Sequence, residues 1–246
     1  MKDIQNWFEK IKKSMDPEEI NDFLIEISID PHFEYIFFIN YFIENSTPEI
    51  HEHIKINLIF NLGILGQLEK VDNKFIDYLI KEYYNSDRWI RNEIILAFDK
   101  ISTNINLSEE IIELVGRALN EEYKPIKLNT LKLLYNIENI PKVALKNLIQ
   151  VLNISNSKIE ELSISVLQKS IKDLNDLFNL LNFSETYKIL NKKAIRSLLL
   201  IYVNSIKRLE TLRELIKKSN FDRESKEKFL NEINSYEYLL LKKPSF

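Results

Sequence analysis

Three features of the sequence predict an all-α protein: scarce glycine, prolines standing behind capping residues, and apolar residues recurring every three and four positions. Only three glycines occur in 246 residues, where a β-rich or α/β chain needs many more for its turns. Pro17 follows Asp16, Pro31 follows Asp30 and Pro48 follows Thr47, with Glu18, Glu34 and Glu49 just behind. A capping residue, a proline at the first helical position and an acid in the first turn together mark a helix start. Pro125 and Pro141 read as helix openings after short loops, and Pro244 lies in the tail. Ile90, Ile94, Ala97, Phe98 and Ile101 share one helical face, as do Ile111, Leu114, Val115, Ala118 and Leu119. Roughly fourteen helices of about ten to eighteen residues follow from this reading.

Taken in order, "IQNWFEKIKKS" is expected to cap the first hairpin, formed by "EEINDFLIEISI" and "HFEYIFFINYFIEN". That segment is rich in aromatics, and an uncovered end would be an aggregation liability. A second reading makes Phe33, Tyr35 and Phe37 a docking patch.

The middle of the chain repeats itself. "IKINLIFNL" from Ile54, "IRNEIILAF" from Ile90, "IKLNTLKLL" from Ile126, "IEELSISVL" from Ile159 and "LNKKAIRSL" from Leu190 share one apolar and polar pattern, at offsets of 36, 36, 33 and 31 residues. A second helix follows each: "FIDYLIKEYY", "EIIELVGRAL", "ALKNLIQVL", "LNDLFNLL" and "RLETLRELIKK". A helical hairpin recurring at that interval cannot bury its apolar face alone, so neighbours stack and share a core.

On the pairs Ile54-Lys55, Ile90-Arg91 and Ile126-Lys127, each followed by core positions four and eight residues on, the sequence resembles the HEAT-like (armadillo-type) repeat family. Glu160 and Asn191 replace the basic residue in the last two copies. The resemblance covers residues 15–220 and implies a right-handed α-solenoid of about six stacked hairpins. No Gly/Ser-rich linker divides the chain, so residues 1–246 are read as one domain. Residues 1–14 are its N-terminal cap helix and residues 221–246 its closing helix and tail.

The segment "NSDRWIRNE" sets Trp89 between two arginines. Ser86 and Asp87 are the natural N-cap of its helix. Arg91 takes the repeat's polar second position, for which the resemblance implies a contact between repeats. Trp89 is expected to pack against the preceding hairpin, as half-buried tryptophans usually do.

Composition narrows the function. A net charge of −3 does not suit a general nucleic-acid binder. The absence of cysteine excludes disulfides, thiol nucleophiles and cysteine-ligated metal centres, and fits a reducing, cytoplasmic setting. No signal-peptide pattern opens the chain and no apolar run approaches the length of a membrane span. From Ser184 to Phe246, 14 Lys plus Arg stand against 8 Asp plus Glu, while the remainder carries 20 against 29. That basic end is read as solvated helices, with anionic lipid or phosphate as the alternative ligand.

Catalytic signatures are weak. His51 and His53 lie two apart on a helix and face about 200° from each other, so they cannot hold one ion. Neither a G-x-S-x-G elbow nor a phosphate loop is present. "SDRWIRNE" also resembles a helix start in HEAT-like alkylpurine DNA glycosylases, but the helix "SEEIIELVGRALNEE" is acidic where phosphates would lie. No cofactor is expected.

In HEAT-like solenoids the second helix of each hairpin lines the concave binding face. Off-core positions there are Tyr78, Lys81, Glu113, Arg117, Lys146, Gln150, Arg213 and Lys217. Their mixed charge suits a protein or peptide partner better than nucleic acid. The sequence therefore points to a non-catalytic scaffold or adaptor. Arg213 and Lys217 are expected to be exposed.

Overall fold

A computed structural model describes residues 4–154, 157–203 and 205–241. Among them are fourteen α-helices, two 3-10 segments and no strand. Their contacts cluster into two compact units, Met1–Ser108 and Glu109–Phe246.

The first unit contains α1 (Ile4–Ser14), α2 (Pro17–Ile29), α3 (Ile36–Asn45), α4 (Pro48–Leu68), α5 (Asn73–Asn85) and α6 (Arg88–Ile101). Its starts follow the capping logic of the sequence. Asp16 accepts from the Glu18 and Glu19 amides, Thr47 from Ile50, and Asp87 from Trp89 and Ile90. Pro17 and Pro48 occupy the first helical turn. Pro31 does not. Asp30 closes α2, and the next element is a 3-10 turn over Phe33–Tyr35. Pro141 occupies the N-cap position itself.

Phe8 of α1 is fully buried against Phe23, Phe38 and Phe42, with ring centroids 4.5 to 5.9 Å apart. Trp7 meets Phe23 edge-on at 5.4 Å. Aromatic pairs of this kind add about 0.5–1.5 kcal/mol each beyond burial. Phe37 stays 59% exposed. With Phe33, Ile36, Lys74 and Phe75 it borders a cleft of about 300 Å³.

Packing in this unit alternates, with α2 on α4 and α4 on α6. Asn57 donates to Asn21 at 2.7 Å, and buried Asn61 donates to the Leu24 carbonyl at 3.0 Å. The α4–α6 seam is tighter. A Cβ built on Gly63 would lie 2.9 Å from the Ala97 Cα, and one on Gly66 would lie 2.4 Å from the Ile101 Cγ1. The glycines of α4 therefore serve close helix approach, with no turn involved. Asn104 completes the seam by donating to the Gly66 and Gln67 carbonyls.

The second unit contains α7 (Glu109–Ala118), α8 (Lys124–Asn136), α9 (Lys142–Val151), α10 (Ser157–Ser170), α11 (Leu174–Asn182), a 3-10 segment over Phe183–Ile189, α12 (Lys192–Tyr202), α13 (Ile206–Lys218) and α14 (Arg223–Leu241). Here α8, α10, α12 and α14 pack in succession, as do α7, α9, α11 and α13. Polar ties again join residues about one repeat apart. Ser197 donates to Glu160 at 2.7 Å, Asn191 to the Asn153 carbonyl, Lys193 to the Ile154 carbonyl and Tyr202 to the Leu167 carbonyl. In sequence these pairs lie 35 to 39 residues apart.

The register of the last copy needs correction. Asn191 caps α12 by accepting from the Ala194 amide, which puts Leu190 outside the helix. Ile90, Ile126, Ile159 and Ala194 are each the third residue of a helix and buried. The copy therefore begins at Ala194, and Asn191 is a cap. The closing helix α14 ends at Leu241, so the tail from 242 to 246, with Pro244, lies outside the described residues.

Candidate functional site

The second-helix residues do not share one environment. Glu113 and Arg117 lie on α7 opposite the buried stripe of Ile111, Leu114, Val115 and Ala118. Lys146 and Gln150 stand half-buried on α9, off its core face of Ala144, Leu148 and Val151. The two helices meet closely at Gly116. Its absent side chain lets α7 approach so closely that a Cβ would lie 2.5 Å from the Ala144 Cβ. Glu113 and Arg117 flank that contact on one helix. Lys146 follows it on the other.

Arg213 and Lys217 sit otherwise. Arg213 is half-buried and donates to Glu237 at 2.6 Å and Asn234 at 3.0 Å, joining α13 to α14. The expectation that it is exposed was wrong, because α14 closes over that side of α13. Lys217 is exposed and pairs with Glu214 at 3.4 Å.

In the first unit Tyr78 is half-buried and its hydroxyl lies 2.9 Å from His51 Nε2. Burial first, then the charges of Glu82 and Glu52, push the tyrosine hydroxyl far above its ordinary value, so it stays protonated. Tyr78 is thus a link between α4 and α5. Lys81, on the same helix, is exposed.

The polar second positions of the repeats reach back along the chain. Arg91 Nη1 donates to the Ser86 carbonyl at 2.6 Å, and Lys127 to the Leu119 carbonyl at 2.8 Å. Lys55 is buried and pairs with Glu52 at 2.7 Å. Arg91 and Lys127 each satisfy a carbonyl near the end of the preceding helix, where acceptors lack partners within the helix.

Trp89 contradicts its expected packing: 54% of its surface is exposed, with the Arg88 guanidinium 5.4 Å from the ring centre. The reason is angular. One residue on a helix is about 100°, so the neighbour of buried Ile90 need not face the core. Several bases of the C-terminal region are paired locally. Lys188, Lys193, Arg196, Lys218 and Arg223 each form an ion pair with a glutamate. That pairing favours the solvated reading.

Two features lacked a clear sequence signal. A cleft of about 510 Å³ opens beside Phe178, Tyr187 and Lys218, where Phe221 stacks between Phe178 and Tyr187 at 5.6 and 3.9 Å. Glu185 on its rim has a φ of +53°, a left-handed backbone unusual for this residue type. Among the described residues no helix is long and apolar enough to cross a membrane, and no group of three His, Asp or Glu side chains is placed to hold a metal ion.

No protein-family model matches the chain, and no curated protein matches it. A crystal structure of an engineered protein is similar at 14% sequence identity and a TM-score of 0.40, with 96% of this chain and 98% of that one covered.

Proposed function

We propose that the chain is a HEAT-like helical-repeat scaffold, a right-handed solenoid of stacked hairpins that holds a protein or peptide partner on its second-helix face. Support for the repeat comes from side-chain ties joining residues about one repeat apart inside each unit, from Asn57–Asn21 to Ser197–Glu160. The observation that carries the function is the α7–α9 face. Glu113, Arg117, Lys146 and Gln150 all lie off the buried faces of α7 and α9, and their mixed charge suits a protein ligand better than a phosphate backbone.

The test is affinity capture from host lysate at low and moderate salt, run in parallel with a Glu113→Lys, Arg117→Glu, Lys146→Glu variant. A discrete protein retained at moderate salt by the parent and lost from the variant is the expected result. Equal capture by both removes this face from the account. Recovery of nucleic acid alone, released as salt rises, replaces the scaffold reading with an electrostatic one.

A further inference from the structure

The α2–α4–α6 layer carries apolar side chains on the side turned away from its core. Ile25 and Ile29 of α2, Ile56 and Phe60 of α4 and Trp89 of α6 are all exposed, Ile29 at 74%. Their levels follow from the seams. Leu24 binds Asn61, which sets Ile25 beside Phe60. Gly63 meets Ala97 and Gly66 meets Ile101, so α4 and α6 run in parallel register and Glu93 stands at the level of Phe60. The Lys100 ammonium lies 4.5 Å above the Phe60 ring, joining the two helices on this same side. An exposed apolar face several residues wide marks an interaction surface more often than scattered exposed residues do.

Charge on the face selects its occupant. Trp89, Glu93, Leu96 and Lys100 follow at spacings of four, three and four, one stripe along α6. The acid and the base are seven residues apart with Leu96 between them. Such a stripe is self-complementary. When two copies of α6 run antiparallel about a two-fold axis near Leu96, each Glu93 faces the other copy's Lys100, and the two Leu96 side chains meet at the centre. An acidic or a basic partner would satisfy only one of the two charges.

We infer that this chain forms a two-fold dimer through the outer face of α4 and α6, with Glu93 of each copy paired to Lys100 of the other about an apolar centre formed by Leu96 and Phe60, and with Trp89 at its edge. The Glu93 carboxyl is half-buried, and burial raises its pKa although Lys100 lowers it. A facing ammonium would relieve that penalty.

The experiment is sedimentation equilibrium on the full chain and on charge variants, with helicity followed by circular dichroism. The parent is expected to sediment at twice the single-chain mass and to dissociate on dilution. Glu93→Lys places like charges opposite each other and should give the single-chain mass, as should Lys100→Glu. The two single variants, mixed, should recover the doubled mass as a one-to-one heterodimer, because each then supplies the charge the other lacks. Recovery on mixing also shows that both variants fold. A parent that stays at the single-chain mass at every concentration overturns the inference. So do single variants that self-associate like the parent, or a mixture that does not pair. Association rescued by anionic vesicles or by a different protein, with no self-association, gives the face to that other occupant.

Discussion

The two units build the same succession of first helices with different seams. Between α4 and α6 the seam is narrow and mostly apolar, set by Gly63 against Ala97 and Gly66 against Ile101. Between α10, α12 and α14 it is ionic. Glu160 accepts from Lys193 and Ser197 at 2.7 Å, and Arg196 meets Glu232 at 2.5 Å. The contrast continues outward, where the first layer exposes Ile25, Ile56, Phe60 and Trp89. At matching places the second exposes mostly polar residues, Lys132, Glu161 and Arg196, although Leu200, in register with Phe60, is 63% exposed. A repeat therefore fixes which helices are neighbours and leaves their adhesive open. A dry seam relies on shape and tolerates no added volume. An ionic seam tolerates volume and depends on pH.

The largest effect expected from this difference is at Gly63. In an exposed helix, glycine to alanine stabilises by about 1 kcal/mol. Here Gly63→Ala puts a methyl 2.9 Å from backbone, so α4 and α6 must separate. The net expectation is a loss of about 1–3 kcal/mol, read as a lower urea midpoint. At Gly66 the obstructing atom is Cγ1 of fully buried Ile101, a β-branched side chain stiff in a helix, so a loss of similar size is expected. A stabilised Gly63→Ala variant would mean the seam is looser than described.

Next in size is Arg196→Met. Glu232 has 4% of its surface exposed, so losing its cation leaves a buried carboxylate. Arg196 is itself mostly exposed, which screens the pair, and the cost should be about 0.5–2 kcal/mol. An unchanged denaturation midpoint would show that solvent, and not Arg196, satisfies Glu232.

The smallest effect is in the pH profile, and it has opposite signs in the two units. Glu160 is held below its ordinary value, chiefly by the Lys193 hydrogen bond. Its contribution is present above pH 4.5 and lost as pH falls through its lowered folded value. Glu93 is raised by burial, so its contribution is present below pH 4.5 and lost as pH rises through its folded value. Measured in dilute protein, Glu160→Gln should differ most from the parent at neutral pH and least in acid. Glu93→Gln should gain on the parent as pH rises. Parallel profiles would contradict the assignment of one paired and one burdened carboxylate.

Much of the fold was legible in the sequence, for local reasons. Asp16, Thr47 and Asp87 cap the helices they mark, and the stripes Ile90 to Ile101 and Ile111 to Leu119 are buried throughout. The second helices fall where the repeat puts them. Errors arose where one residue has two local readings. Asn191 fits a repeat position or a cap, and only its bond to the Ala194 amide decides. Asp30 ahead of proline looks like a start and closes a helix.

The candidate site was less legible, because its assignments depend on partners far away in the chain. Glu237 takes Arg213 out of the exposed set from 24 residues away, and His51 engages Tyr78 from 27. For the outer face a signal did exist. Ile25 and Ile29 lie out of phase with the stripe Ile20, Phe23, Leu24 and Ile27.

Because the sequence contains no cysteine, introduced thiols are unique reporters of repeat contact. The most direct measurement installs Asn21→Cys with Asn57→Cys in the first unit and Glu160→Cys with Ser197→Cys in the second, then treats each folded protein with a short bis-maleimide. The account predicts rapid internal cross-linking of both pairs, spaced 36 and 37 residues, and none for a control joining Asn21→Cys to Lys81→Cys. Cross-linking no faster than the control, in protein of undiminished helicity, would contradict the stacked repeat.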